Sequence, residues 1–288
     1  MSVEVVFWDV QHGNASYIKS PNDRHIVIDL GTGSYANDDQ IFSPLLHLKN
    51  CYDIAQLDYV IVTHPHLDHI DDILNFYYLS PKVFKRPSHL SKEDILVSVR
   101  EEDRPKFDKY LEINNRYNQP LGENDPDDLY NPDNYGGLIV KGFASINCST
   151  SNINNHSIIE VISYAEIKVI FTGDNELASF NELMENDQFI DSVKDADILL
   201  APHHGRNSGY HNDFVSIVNP RLVVISDSRF CDTSAISRYD NKCRGWTVYK
   251  RDGSSEKRKC LTTRDDGVIT VNFGNGLNDN PFLNVKIN

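Results

Sequence analysis

Three histidines and one aspartate crowd into His64-Pro65-His66-Leu67-Asp68-His69, directly after the run Leu57-Asp58-Tyr59-Val60-Ile61-Val62-Thr63. That run reads as a buried β-strand, being short, apolar and β-branched. Four nitrogen and oxygen donors at the end of a buried strand constrain the fold. They must sit together at one edge of a sheet, and in that density they suit a divalent metal. His64 and His66, separated by one residue in an extended turn, can point onto one ion. Asp68 and His69, where the chain enters a helix, can serve a second ion a few ångströms away.

The same grammar recurs along the chain. Strands are expected over Val3–Trp8, Ala15–Ile18, His25–Asp29, Ser157–Ser163, Ile167–Thr172, Asp197–Ala201, Leu222–Ser226 and Gly267–Phe273. Several end on polar residues: Asp29 before Leu30-Gly31, Asp174 after Gly173, and His203-His204-Gly205 after Pro202. Helices are expected over Gln40–Lys49, after His69 with Ile70, Ile73, Leu74 and Tyr77 on one face, over about Lys92–Tyr117, and over Glu176–Met184. Strands alternating with helices predict an α/β fold.

The 288 residues read as a single domain over 1–288 with an insertion at about 81–142. Its second part, Asn118–Tyr135, carries Glu123, Asp125, Asp127, Asp128 and Asp133, three prolines and no Lys or Arg. It reads as a loop, solvated or able to screen and gate the site.

The net charge of −14 argues against blanket electrostatic binding of nucleic acid. It is unevenly spread: residues 221–288 hold 12 Lys and Arg against 8 Asp and Glu, net +4, which leaves −18 for the rest. Between Lys242 and Arg264 lie eight basic residues with Trp246 and Tyr249 interleaved, either a backbone-and-stacking surface for a polyanion or a solvated hairpin. No apolar run approaches the ~20 residues of a membrane helix, and Met1–Val10 has no signal-peptide pattern. Five cysteines, without a CxxC spacing, suit reduced thiols, so a cytoplasmic location is expected. A metal clip of Cys231, Cys243 and Cys260 matches no common zinc module.

On these residues the chain resembles the metallo-β-lactamase superfamily. The carriers are His64-Pro65-His66-Leu67-Asp68-His69, Asp29, Gly173-Asp174 and His203-His204-Gly205. More narrowly it is similar to the hydrolase domain of ComEC-type competence proteins, in Asp9-Val10-Gln11-His12-Gly13-Asn14-Ala15, Asn154-Asn155-His156-Ser157, Phe171–Glu176, Pro202–Gly205 and Thr262–Val271. It departs from that pattern at Gln11-His12 and Asn14, at Arg206 after His-His-Gly, and around Phe230-Cys231-Asp232-Thr233.

The resemblance implies a four-layer αββα sandwich, the metallo-β-lactamase fold, with Asp29 supporting the site. It implies two divalent ions, zinc first with manganese or iron also accepted. The ligands come from His64, His66, Asp68, His69, Asp174 and His203 or His204, with His156 as a candidate third-motif ligand. Paired cations lower the pKa of a shared water, so the expected chemistry is metal-dependent hydrolysis. Asp68, His204 and Arg206 are candidates for orienting the nucleophile or contacting a substrate phosphate. A phosphodiester substrate (DNA, RNA or a nucleotide), docked through the basic C-terminal segment, is the first expectation. A lactone, thioester or amide substrate, and a metal-binding regulatory module with little catalysis, stand as alternatives.

Overall fold

A computed structural model describes residues 1–33, 42–228 and 232–288. The N-terminal half supplies β1 (Ser2–Phe7), β2 (Ser16–Lys19), β3 (His25–Ile28), β4 (Tyr59–Ile61) and β5 (Val83–Lys85). The middle supplies β6 (Ile139–Phe143), β7 (Ile159–Tyr164), β8 (Ile167–Phe171), β9 (Ile198–Leu200) and β10 (Leu222–Ile225). The last five are β11 (Trp246–Tyr249), β12 (Ser255–Arg258), β13 (Cys260–Thr262), β14 (Ile269–Asn275) and β15 (Pro281–Lys286). They form two sheets, ordered β12-β11-β15-β14-β1-β2-β3-β4-β5 and β13-β10-β9-β8-β7-β6.

Strand periodicity sorts the side chains into layers. Val3, Val5 and Phe7 of β1 face the second sheet, meeting Ile162, Phe171, Leu200 and Val224, whereas Val6 and Trp8 face the other way. The outer face of the first sheet is covered by α1 (Pro44–Cys51), α2 (Leu67–Ile70), α3 (Lys92–Leu96) and α4 (Arg104–Arg116), through residues such as Leu48, Ile70, Ile95 and Tyr110. The outer face of the second is covered by α5 (Leu177–Leu183), α6 (Asp187–Val193), α7 (Asn212–Val218) and α8 (Ile236–Lys242), through Phe180, Phe189, Phe214 and Tyr239. The architecture is the expected αββα sandwich. β4, β9 and β10 are buried on both faces and read as near-continuous apolar runs, whereas β11 and β12 keep one face exposed.

Several local expectations change. The helix expected from Gln40 starts at Pro44, where Ser43 accepts from Leu46 N, and Gln40 lies outside the described residues. After His69 the chain forms only α2 and then a 3₁₀ helix, Ile73–Tyr78. Three residues per turn put Ile70, Ile73 and Phe76 in one buried row and leave Leu74 53% exposed. The helix expected over Lys92–Tyr117 breaks into α3 and α4, with Pro105 in the first turn of α4. The strand expectations omitted β5, β6, β11, β12, β13 and β15. β11 and β12 do form a hairpin, but β11 also pairs with β15 and extends the large sheet.

The acidic loop is anchored away from the metal motif. Asp127 receives Arg24 at 2.8 Å and Lys82 at 3.3 Å, and both cations also hold Asp58. Asp58 precedes β4, while His64 follows it, so this anchor lies at the opposite end of the strand. Leu129 and Tyr135 are buried in the inter-sheet core. The loop packs as an edge cover rather than a gate, because its apolar residues reach the core and its carboxylate finds fixed cations.

A candidate metal centre at the strand ends

β3, β4 and β5 run parallel, as do β8, β9, β10 and β13. Their carboxyl ends meet at one edge of the sandwich, the usual place for a site on parallel strands. Asp29 follows β3, the histidine motif follows β4, Asp174 follows β8 and His203-His204 follow β9.

Asp29 organises the centre without exposure to solvent. Its backbone is left-handed, at φ 61°, a conformation that Asp tolerates better than most residues. Its carboxylate accepts from Thr63 N at 2.7 Å, Thr63 Oγ1 at 2.9 Å and Asn14 Nδ2 at 2.9 Å. It also pairs with His69 Nδ1 at 2.8 Å. That contact fixes the ring of His69 and aims Nε2 at Asp174 Oδ1, 3.2 Å away.

Asp68, His69, Asp174 and His204 offer ligand atoms that all lie within 4.8 Å of one another. His204 Nε2 is 3.3 Å from Asp68 Oδ2 and 3.5 Å from Asp174 Oδ2. Its Nδ1 contacts the carbonyl of Ser226 at 2.9 Å. Such a backbone contact sets the tautomer and leaves Nε2 for the centre. Nε2 of His69 and of His204 are buried and complete no hydrogen bond. Two orphaned imidazole nitrogens facing two carboxylates are what a divalent cation satisfies, and the donor set suits zinc, manganese or iron.

Charge explains why the cluster holds together. Burial works against ionisation of Asp68 and Asp174, yet both are held well below the usual carboxylate range by His69 and His204. Burial likewise opposes the charge on His204, but Asp174 and Asp68 push its pKa up to about 10. His69 is raised well above its ordinary value, against burial, by Asp174, Asp29 and Asp68.

His64 and His66 form the neighbouring half. His64 Nε2 lies 2.9 Å from His66 Nδ1 and 4.0 Å from Asp174 Oδ2. Burial first, then the neighbouring histidines, drives the pKa of His64 well down, so its ring is neutral. Burial lowers His66 as well.

The remaining candidates sit differently. His203 and His204 are both left-handed, at φ 49° and 53°, so consecutive rings diverge. His203 Nδ1 contacts Glu176 at 2.9 Å and Ser208 at 3.0 Å. Its Nε2 contacts Arg206 at 3.1 Å and stands 3.8 Å from Asp174. Of the pair, only His204 belongs to the four-residue group. Arg206 thus bonds to His203 at the rim. His156 pairs with His89 at 3.0 Å, and it is Asn154 of the same segment that meets His66.

Two neighbours escaped the sequence reading. His12 Nε2 lies 3.4 Å from Asp68 Oδ2, with its ring 4.9 Å from that of His204. The only signal was the departure at Gln11-His12. Glu176, which holds His203, gave no signal beyond its place after Asp174.

The basic C-terminal segment is partly engaged inside the protein. Arg258 pairs with Asp266 and Glu256, and Arg244 donates to the carbonyls of Asn219 and Ala196. Trp246 packs on the core beneath Arg221, whose guanidinium lies 4.4 Å from the ring centre. Tyr249 is 41% exposed. Cys243 and Cys260 are free thiols, and Cys231 lies outside the described residues. No helix among the described residues is long and apolar enough to cross a membrane.

Compared with known proteins, residues 8–83 match the family model described as the metallo-beta-lactamase superfamily. The chain is similar to ComE operon protein 3 of Bacillus subtilis (strain 168), 24% identical across 77% of this chain and 28% of that protein. It is also similar to the uncharacterized protein YcaI of Escherichia coli (strain K12), 23% identical across 77% of this chain and 25% of that one. It therefore spans about a quarter of the length of these curated relatives. Among solved structures, the long form RNase Z from yeast aligns with a TM-score of 0.45 and 13% identity, over 92% of this chain and 41% of that one.

Proposed function

Since this chain carries a domain of the metallo-β-lactamase superfamily, whose members are mostly hydrolases, we propose that it hydrolyses phosphodiesters with two divalent cations. The observation that carries the hydrolytic reading is the convergence of Asp68, His69, Asp174 and His204 within 4.8 Å. His64, His66 and Asp174 would hold one ion; Asp68, His69, His204 and the shared Asp174 would hold the other. Ions there supply Lewis acidity and an acidified water.

The chain's own residues do the rest. Asp29 and the carbonyl of Ser226 keep the His69 and His204 rings aimed inward. Asp68 lies within 3.4 Å of both His12 and His204, placed to orient the attacking water. Arg206, at the rim beside His203, offers a cation to a phosphate oxygen. Hydrolysis breaks one P–O ester bond, forms one P–O bond to the water oxygen, and yields a monoester and an alcohol. The phosphodiester choice rests on the resemblance of the opening, middle and closing motifs to ComEC-type hydrolase domains. A longer anionic substrate would also rest on the basic segment near Lys257, Lys259 and Arg264.

The test is the purified protein with zinc or manganese on bis(p-nitrophenyl) phosphate and on labelled oligonucleotides, beside lactone and thioester panels. Phosphodiester cleavage abolished by Asp174→Ala is expected. Turnover of a lactone or thioester with every phosphodiester left intact would sink the proposal.

A further inference from the structure

One large cleft opens directly on the metal centre. It encloses about 700 Å³ and begins at His66, Leu67 and Asp68 of the metal motif. Its other walls come from the insertion, residues 94–107, and from the segment Ser149–Ile153. The volume falls within the ~300–1,000 Å³ of sites that enclose one small organic group.

The lining specifies that group. Its apolar surface is Leu67, Ile95, Val97, Val99, Phe107 and Ile153. Hydroxyls of Ser98, Ser149, Thr150 and Ser151 are interspersed. The charges of the insertion wall are already matched. Arg100 bonds Asp103 at 2.7 Å and Glu102 at 2.9 Å. Asp94 caps α3 through Ser91, at 2.9 Å to N and 2.6 Å to Oγ. Among the described residues no lysine lines the cleft. Such a wall gives no welcome to further phosphates, but it suits a flat apolar ring system joined to a hydroxyl-bearing sugar.

We infer that this cleft receives the uncharged nucleoside part of the phosphodiester, so that the substrate is a nucleotide ester or an unpaired strand and not a duplex. A paired, stacked base cannot enter a cleft between two walls without leaving its helix, whereas an unpaired base can lie on the apolar wall. The inference rests on the phosphodiester reading above, and its test separates the two.

Val97 is 70% exposed, so Val97→Trp fills the cleft mouth without touching the core; Ser151→Trp does the same from the facing wall. Both variants, loaded with metal, are assayed on the p-nitrophenyl ester of thymidine 5′-phosphate and on methyl p-nitrophenyl phosphate, which shares the leaving group and has no ring in place of the nucleoside. The expected result is a tenfold or greater loss of kcat/KM on the nucleotide ester, with less than a threefold change on the smaller ester. Wild-type protein should also cut a single-stranded oligonucleotide at least tenfold faster than its duplex. Equal loss on both esters, no loss on either, or equal cleavage of duplex and single strand overturns the inference. If wild type cleaves no phosphodiester, that reading fails by itself, and the cleft is judged by calorimetric titration of thymidine and adenosine into EDTA-treated protein. Millimolar or tighter binding, lost in Val97→Trp, sustains it; no binding overturns it.

Discussion

Replacing Asp29 by Asn keeps the shape of a fully buried side chain and removes its charge. The carboxylate takes Thr63 N on one oxygen, and Thr63 Oγ1, Asn14 Nδ2 and His69 Nδ1 on the other. In the variant an NH₂ group faces the last three. The Thr63 hydroxyl can rotate and the Asn14 amide can flip, but His69 must give up the proton on Nδ1. The proton then sits on Nε2, the atom 3.2 Å from Asp174, and blocks its lone pair. Loss of a carboxylate behind a ligating imidazole typically weakens metal binding ~10–100-fold. Each buried donor left unsatisfied costs about 1–3 kcal/mol, so a stability loss of about 1–6 kcal/mol is expected from one or two such donors. Metal affinity is read by competition with a chelating dye, and stability by urea unfolding of EDTA-treated protein. An Asp29→Asn protein with wild-type metal affinity and an unchanged urea midpoint would refute this account of Asp29.

Four further outcomes are expected. His204→Ala loses bound metal on elemental analysis, whereas His203→Ala keeps it, because His203 is turned toward Glu176, Ser208 and Arg206; equal loss would contradict this. Metal affinity rises with pH between neutrality and about 10, since His204, pushed up to about 10, and the raised His69 must shed protons to become ligands; calorimetry in buffers of differing ionisation heat should show proton release. Gly173→Ala loses metal and about 1–3 kcal/mol, because a Cβ there would stand 2.8 Å from the Cβ atoms of Ser157 and Thr63, with φ at +53°. Burial pushes the Asp72 carboxyl up to about 6; with the folded pKa raised, its cost, about 3 kcal/mol, is absent below the ordinary carboxylate pKa and complete above about pH 6. Asp72→Asn should therefore flatten the fall in stability between pH 4 and 7, measured by denaturant titration.

Local pattern in the sequence was enough to place nine of the fifteen strands of the described residues and the order of the polar strand ends. Period-two alternation and β-branched runs act over a few residues, and Val3–Trp8 already separates an inward set from an outward one. The cluster at His64–His69 is equally local, since four donors within one turn have few places to go. What only the tertiary structure decided depends on contacts between distant segments. That the ring of His204, and not that of His203, joins Asp68, His69 and Asp174 comes from two successive left-handed residues and the carbonyl of Ser226. His156 is drawn to His89, leaving Asn154 beside His66. The acidic loop is held at the far end of β4 by Arg24 and Lys82, partners 103 and 45 residues away in sequence from Asp127. The cleft exists only because the insertion folds back over the metal motif. Composition and periodicity carry no record of such pairings; they are set by which buried charges find partners when the two sheets close.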